Sequence, residues 1–173
     1  MTTASGIAST LRRLYFVRFA FAIVWAVLMF TNQSRLGPVG VALLVLYPLF
    51  DVGAAVVDAR SSRTTRGLYV NIAISTLAAI GLAFAAASGV PAVLRVWGAW
   101  AVLAGLVQLI VGLGRRTLGG QWPMILSGGI SVLAGASFIA AASAASPSLS
   151  NIAGYAVLGG IFFLVSALRL GKS

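Results

Sequence analysis

The sequence contains no cysteine, no histidine and no glutamate, and its only two acidic residues are Asp51 and Asp58. These absences exclude disulfides, thiolate nucleophiles, a zinc site built from Cys and His ligands, and histidine as a general base. Two carboxylates alone offer little machinery for acid–base or nucleophilic catalysis. We therefore expect no enzyme, and the sequence predicts no catalytic, metal-binding or cofactor-binding residue and no cofactor.

Charged residues are also scarce, at 8% of the chain, whereas 60% of its residues are hydrophobic and the mean hydropathy is +1.05. In soluble domains about a quarter of the residues are charged. An apolar surplus of this size cannot be buried in one small core, so the lipid bilayer must be the main partner of the chain. The net charge of +10 does not indicate nucleic-acid binding. The basic residues occur in twos and threes between apolar runs rather than on one basic face with interleaved aromatic residues.

Six apolar runs are long enough to cross a bilayer, which takes about 20 helical residues. They cover residues 14–31, 39–59, 67–87, 93–113, 122–142 and 152–169. The breaks between them carry turn-forming residues, as in "NQSRLGP", "ASGVP" and "ASPSLSN". The sequence thus predicts an all-α integral membrane protein, with residues 1–173 forming a single transmembrane domain of six helices and short loops.

The basic residues sort by side of the predicted membrane. Nine of them fall on the face that holds both termini: Arg12, Arg13, Arg60, Arg63, Arg66, Arg115, Arg116, Arg169 and Lys172. Only Arg35 and Arg95 fall on the other face. The positive-inside rule then predicts that both termini are cytoplasmic. Arginine outnumbers lysine eleven to one, which is typical of a GC-rich bacterial genome, so we expect a bacterial cytoplasmic (inner) membrane.

The second, fourth and sixth runs share a pattern. "AWAVLAGL" at 99–106 is similar to "GYAVLGGI" at 154–161, and "VLYPLFDV" at 45–52 aligns with "VLAGLVQL" at 102–109. This pattern predicts three helical hairpins, at about 1–60, 61–116 and 117–173, around a pseudo-axis along the membrane normal. Asp51, Gln108 and Phe163 would then occupy equivalent positions near the bundle centre. The alternative is a chance likeness between aliphatic helices.

Small residues form two stripes that allow close helix packing. Gly98, Gly105 and Gly112 recur every seven residues, and Ser127, Ser131 and Gly135 recur every four. Such stripes let two helix backbones approach each other in a membrane. They predict packing within the monomer or, alternatively, an interface with a second copy or with another membrane protein.

Polar side chains within the spans gather in the half nearer the termini. A charge near the bilayer centre costs about 2.5–3.5 kcal/mol on insertion scales, so such residues normally face the bundle interior. We expect Arg18 to pair with Asp51, although Asp58 is an alternative partner because the Arg18 side chain should lean toward its helix N-terminus. Asp58 can instead find a surface partner in Arg60 or Arg63. The candidate cluster consists of Arg18, Asp51, Asp58, Asn71 and Gln108. It favours a polar pocket open to the cytoplasm over a continuous pore, which would need polar lining along its full depth.

The segment "GAWAVLAGLVQLIVGLGRRTLGGQWPMILSGGISVLAGASF" at 98–138 resembles the HdeD-like family of small bacterial membrane proteins. The Arg in "LYFVRFAFAIVWAVLMF" and the Asp in "LYPLFDVGAAVVDAR" add to the resemblance, although a glycine often follows directly in that family and does not here. The resemblance implies a six-helix inner-membrane protein with a role in acid or envelope stress. It brings no defined catalytic or binding residues.

Two functions follow as hypotheses. The first is a non-enzymatic membrane protein for envelope or acid-stress adaptation. The alternative is a small-solute or proton-linked transporter that uses Asp51.

Overall fold

The computed structural model describes residues 4–32, 36–61, 66–118 and 121–170. Within these ranges the chain forms helices and no strands. The helices are α1 (Ala4–Asn32), α2 (Pro38–Ser61), α3 (Arg66–Ala85), α4 (Val90–Gly114), α5 (Trp122–Ala141) and α6 (Ser150–Arg169). Six of six are long and apolar enough to cross a bilayer, so the predicted fold class is confirmed and the chain is a polytopic membrane protein.

Helix boundaries follow the turn residues of the sequence. Pro38 opens α2, and Pro91 and Pro123 stand in the first turns of α4 and α5, where a missing backbone N–H costs nothing. Gly89 joins α3 to α4 with a φ of 92°, which favours glycine. The first helix begins at Ala4 rather than near residue 14. The apolar run predicts the lipid-crossing part, whereas the helix continues into the more polar segment before it.

The six helices form a ring in chain order, in which α6 packs back against α1. Neighbouring helices are antiparallel: Tyr15 contacts Phe163, while Ala22, further along α1, lies beside Gly160 on α6. Consequently α1 begins and α6 ends on the same side of the bundle. We call this side the terminal end, and the other side the opposite end.

The extent of packing alternates around the ring. The pairs α2–α3, α4–α5 and α6–α1 are packed more extensively than the pairs α1–α2, α3–α4 and α5–α6. Each extensive pair joins an even helix to the next odd helix, across the boundaries of the predicted hairpins. Asp51, Gln108 and Phe163 all line one central cavity. The threefold repeat itself stays a prediction.

Both predicted stripes of small residues lie at the contact between α4 and α5. A Cβ atom added to Gly98 would lie 2.5 Å from the carbonyl oxygen of Gly135, and one added to Gly105 would lie 2.8 Å from that of Gly128. A Cβ atom added to Gly112 would lie 3.1 Å from the side chain of Ile125. Ser127 and Ser131 are buried in this region. The stripes therefore pack within the monomer, and no second copy is needed to explain them.

Replacing Gly105 by alanine should destabilise the bundle by about 1–3 kcal/mol, the usual cost of overpacking a filled core. The new methyl group would meet backbone, which cannot move aside cheaply. The measurement is the midpoint of unfolding of the purified protein in detergent. Gly129→Ala is the matched control on α5, since a Cβ atom there meets nothing within 4 Å. Equal midpoints for the two variants would contradict the packing described.

Candidate functional site

The bundle is divided into an apolar half and a polar half. Toward the opposite end it is filled by an apolar core, in which the rings of Trp25, Tyr47, Trp97 and Trp100 contact one another with centroids 4.7–5.9 Å apart. Toward the terminal end all six helices line a cavity of about 100 Å³. A cavity of this size holds several waters. The polar side chains buried in the membrane therefore have access to water from one half of the bundle.

Asp51 is the polar centre of this cavity and is only 7% exposed. Its Oδ1 accepts a hydrogen bond from an Nη2 group of Arg18, which confirms the predicted ion pair. Its Oδ2 accepts from Asn71 Nδ2 at 2.6 Å and from Ser75 Oγ at 2.8 Å. The Ser75 hydroxyl in turn accepts from Trp100 Nε1 at 3.0 Å. One carboxylate thus connects α1, α2, α3 and, through Ser75, α4.

Ser75 and Trp100 were not among the predicted residues of the cluster. Ser75 follows Asn71 by four residues and so lies on the same face of α3, which is a signal that the sequence does contain. Trp100 offers no comparable signal, because nothing in the sequence indicates which acceptor its indole N–H will meet.

The predicted environment of Asp58 is wrong. Asp58 is only 4% exposed, and its two carboxylate oxygens accept hydrogen bonds from Nη1 and Nη2 of Arg115, both at 2.8 Å. Arg60, one of the predicted partners, is exposed, and Arg63 lies outside the described residues. Arg115 belongs to an Arg-Arg pair at a helix end, where both side chains would be expected in the headgroup region. In fact Arg115 turns inward and Arg116 outward.

The Arg115 guanidinium lies just beyond the membrane-spanning part of α4. Burial lowers its pKa, but the hydrogen bonds and the negative charge of Asp58 outweigh this effect, so the pKa of Arg115 is raised above its ordinary value. The guanidinium also interacts with Tyr15. Arg115 therefore stays charged, and the pair joins α2 to the end of α4 in the wall of the cavity.

Further polar contacts line the same cavity. Gln108 donates from Nε2 to the backbone oxygen of Met124 at 2.9 Å, which places it between α4 and α5. Tyr155 donates to Ser131 Oγ at 2.8 Å, and that hydroxyl donates to the carbonyl of Ser127 at 2.8 Å. All five residues of the candidate cluster line the cavity.

The arrangement offers little to a metal ion. Asp51 and Asp58 are seven residues apart on α2, about 10 Å at 1.5 Å per residue, and each carboxylate is engaged by an arginine. No group of three His, Cys, Asp or Glu side chains gathers anywhere in the described ranges.

No protein-family model, curated protein or solved structure matches the chain.

Arg115→Met should cost about 3–5 kcal/mol, since it leaves the Asp58 carboxylate buried without its counter-ion. The double variant Asp58→Leu with Arg115→Met should recover most of that loss, because replacing a buried pair by apolar side chains is often close to neutral. Unfolding midpoints in detergent measure both effects. Arg116→Met is the control, as its exposed side chain should change stability by less than about 0.5 kcal/mol. Similar losses at Arg115 and Arg116 would show that the buried pair does not form.

Proposed function

We propose that this chain is a non-enzymatic, multi-pass protein of a bacterial cytoplasmic membrane that serves envelope or acid-stress adaptation, in line with its resemblance to the HdeD-like family. Both termini, and with them the cavity, face the cytoplasm. The observation that carries the proposal is the placing of the chain's only two acidic side chains in one cavity, where each is paired with an arginine that lines the same cavity.

The distribution of arginines supports the orientation. At the terminal end the exposed basic residues are Arg12, Arg13, Arg60, Arg66, Arg116 and Arg169. At the opposite end Arg95 is the one basic residue in the described part of the chain. Arg35, expected at that end, and Lys172, expected at the terminal end, lie outside the described part. Such a bias is typical of the cytoplasmic side.

Acid acts directly on such a cavity. Protonation of Asp51 would leave the partly buried Arg18 without its counter-ion, and protonation of Asp58 would do the same to the buried Arg115. An uncompensated buried charge is strongly destabilising. The contacts of α2 with α1, α3 and α4 would therefore weaken as the pH falls. In this way a protein composed almost entirely of membrane helices can respond to acid through its own bundle.

The transporter hypothesis draws support from the cavity as well. A polar cavity that ends at an apolar, aromatic core is the form expected of a carrier open to one side. Against it, the Asp51 carboxylate accepts hydrogen bonds from three side chains, which suits a fixed structural anchor better than a group that exchanges protons in each cycle.

The orientation is tested with single cysteines, to which the cysteine-free sequence is well suited. Cysteines at Ser88 and Ser148, which are exposed at the opposite end, should react with a membrane-impermeant maleimide added to intact cells. A cysteine at Thr117, exposed at the terminal end, should react only after the cells are opened. Labelling of Thr117→Cys in intact cells would reverse the proposed topology.

The acid response is tested through the pH dependence of stability. The sequence has no His and no Glu, so Asp51 and Asp58 are the side-chain carboxyls through which a fall in pH can act on the bundle. The unfolding midpoint of the wild type in nanodiscs should be lower at pH 4 than at pH 7, since protonation of the two carboxylates removes the ionised partner of each arginine. Asp51→Asn with Asp58→Asn should start from a lower midpoint and remain nearly flat.

A wild type that is as stable at pH 4 as at pH 7 would contradict this mechanism. In the source bacterium, loss of the gene should reduce survival after acid exposure, and the wild-type chain but not the double Asn variant should restore it. If the wild-type chain and the double Asn variant both restored survival, the stress role would not depend on the two carboxylates.

A further inference from the structure

We propose that the inner part of the cavity is a binding site for a small carboxylate, held by Arg18 and the hydroxyl of Tyr47. This inference needs only the cavity and does not depend on the acid response or on the stress role.

Arg18 has hydrogen-bond donors that its partners in the described ranges do not use. One Nη group donates to Asp51, and the guanidinium carbon lies 4.5 Å from the ring centroid of Phe163. No other hydrogen bond joins this guanidinium to a residue in the described ranges, so most of its five N–H donors remain available. The side chain is 17% exposed and borders the cavity. Asp51, by contrast, already accepts on both of its oxygens.

Tyr47 lies one helical turn before Asp51 on α2 and borders the same cavity. Among the described residues its hydroxyl has no hydrogen-bond partner, and yet it is not one of their sealed, unsatisfied polar atoms. A phenol O–H that opens into a cavity beside a guanidinium is a second donor. Arginine N–H groups with a tyrosine hydroxyl make a suitable cradle for a carboxylate.

The electrostatic environment also selects for an anion. The charges of the two arginines and two aspartates that line the cavity cancel. In the described ranges, the exposed charged side chains at the terminal end are all basic. A positive rim raises the local concentration of anions at the mouth. A cation would have to displace an arginine from a carboxylate that is already paired. The rings of Trp100 and Phe163 on the wall provide apolar contact for the body of the ligand.

Isothermal titration calorimetry on the full chain in nanodiscs tests the site with three ligands that share one ring. Benzoate should bind saturably, and neutral benzamide and cationic benzylammonium should bind at least about tenfold more weakly, since hydrogen bonds to a charged group are the stronger ones. Equal affinities, or a preference for benzylammonium, would overturn the proposal. So would the absence of any saturable heat from benzoate.

Two variants locate the binding within the cavity. Tyr47→Phe keeps the ring and should weaken benzoate binding about tenfold, by loss of one hydrogen bond to the carboxylate. Arg18→Lys keeps the charge but loses the planar fork, and should also weaken it. Tyr69→Phe is the matched control, because Tyr69 is exposed on the outer surface of α3 and should leave the affinity unchanged.

Unfolding midpoints measured on the same samples separate loss of binding from loss of fold. Unchanged affinity in a folded Tyr47→Phe and a folded Arg18→Lys would remove these residues from the site. A normal acid response without benzoate binding would refute the ligand alone and leave the proposed function standing.

Discussion

The bundle depends on the solvation of one carboxylate. Asp51 lies within an apolar helix and is only 7% exposed, so water in the cavity reaches little of its carboxylate, and side-chain donors must supply most of its hydrogen bonds. Arg18 supplies charge, Asn71 and Ser75 supply dipoles, and Trp100 in turn satisfies Ser75. Because these donors come from three other helices, the requirement of a single side chain fixes the relative positions of α1, α2, α3 and α4.

Much of the fold and of the Asp51 site was predictable from the sequence, and the physical reason differs between features. The six spans follow from hydropathy, because lipid requires continuous apolar helices. The ion pair of Arg18 with Asp51 follows by elimination, since few charges occur within the spans. The glycines of α4 indicate a close contact, although their spacing does not identify the partner helix. In each case a strong physical constraint acts on a few residues.

The interaction between Asp58 and Arg115 shows where such reasoning fails. Both residues lie near helix ends, where a charged side chain can reach water at little cost, so hydropathy does not require either one to be buried. The tertiary arrangement brings together residues 57 positions apart and turns one of two adjacent arginines inward. Tyr47 was missed for a related reason: an unpartnered hydroxyl is visible only once its surroundings are known.

The alternation of extensive and sparse packing has a mechanical consequence. Each sparsely packed neighbour pair is bridged by a polar side-chain contact: Arg18 with Asp51 between α1 and α2, Trp100 with Ser75 between α3 and α4, and Tyr155 with Ser131 between α5 and α6. The ring thus consists of three extensively packed helix pairs, which are joined to one another at three sparsely packed contacts. Hydrogen bonds lose strength steeply with misalignment, whereas broad apolar contacts yield gradually. A change in the lateral pressure of the bilayer is therefore expected to separate the helices first at these three sparsely packed contacts.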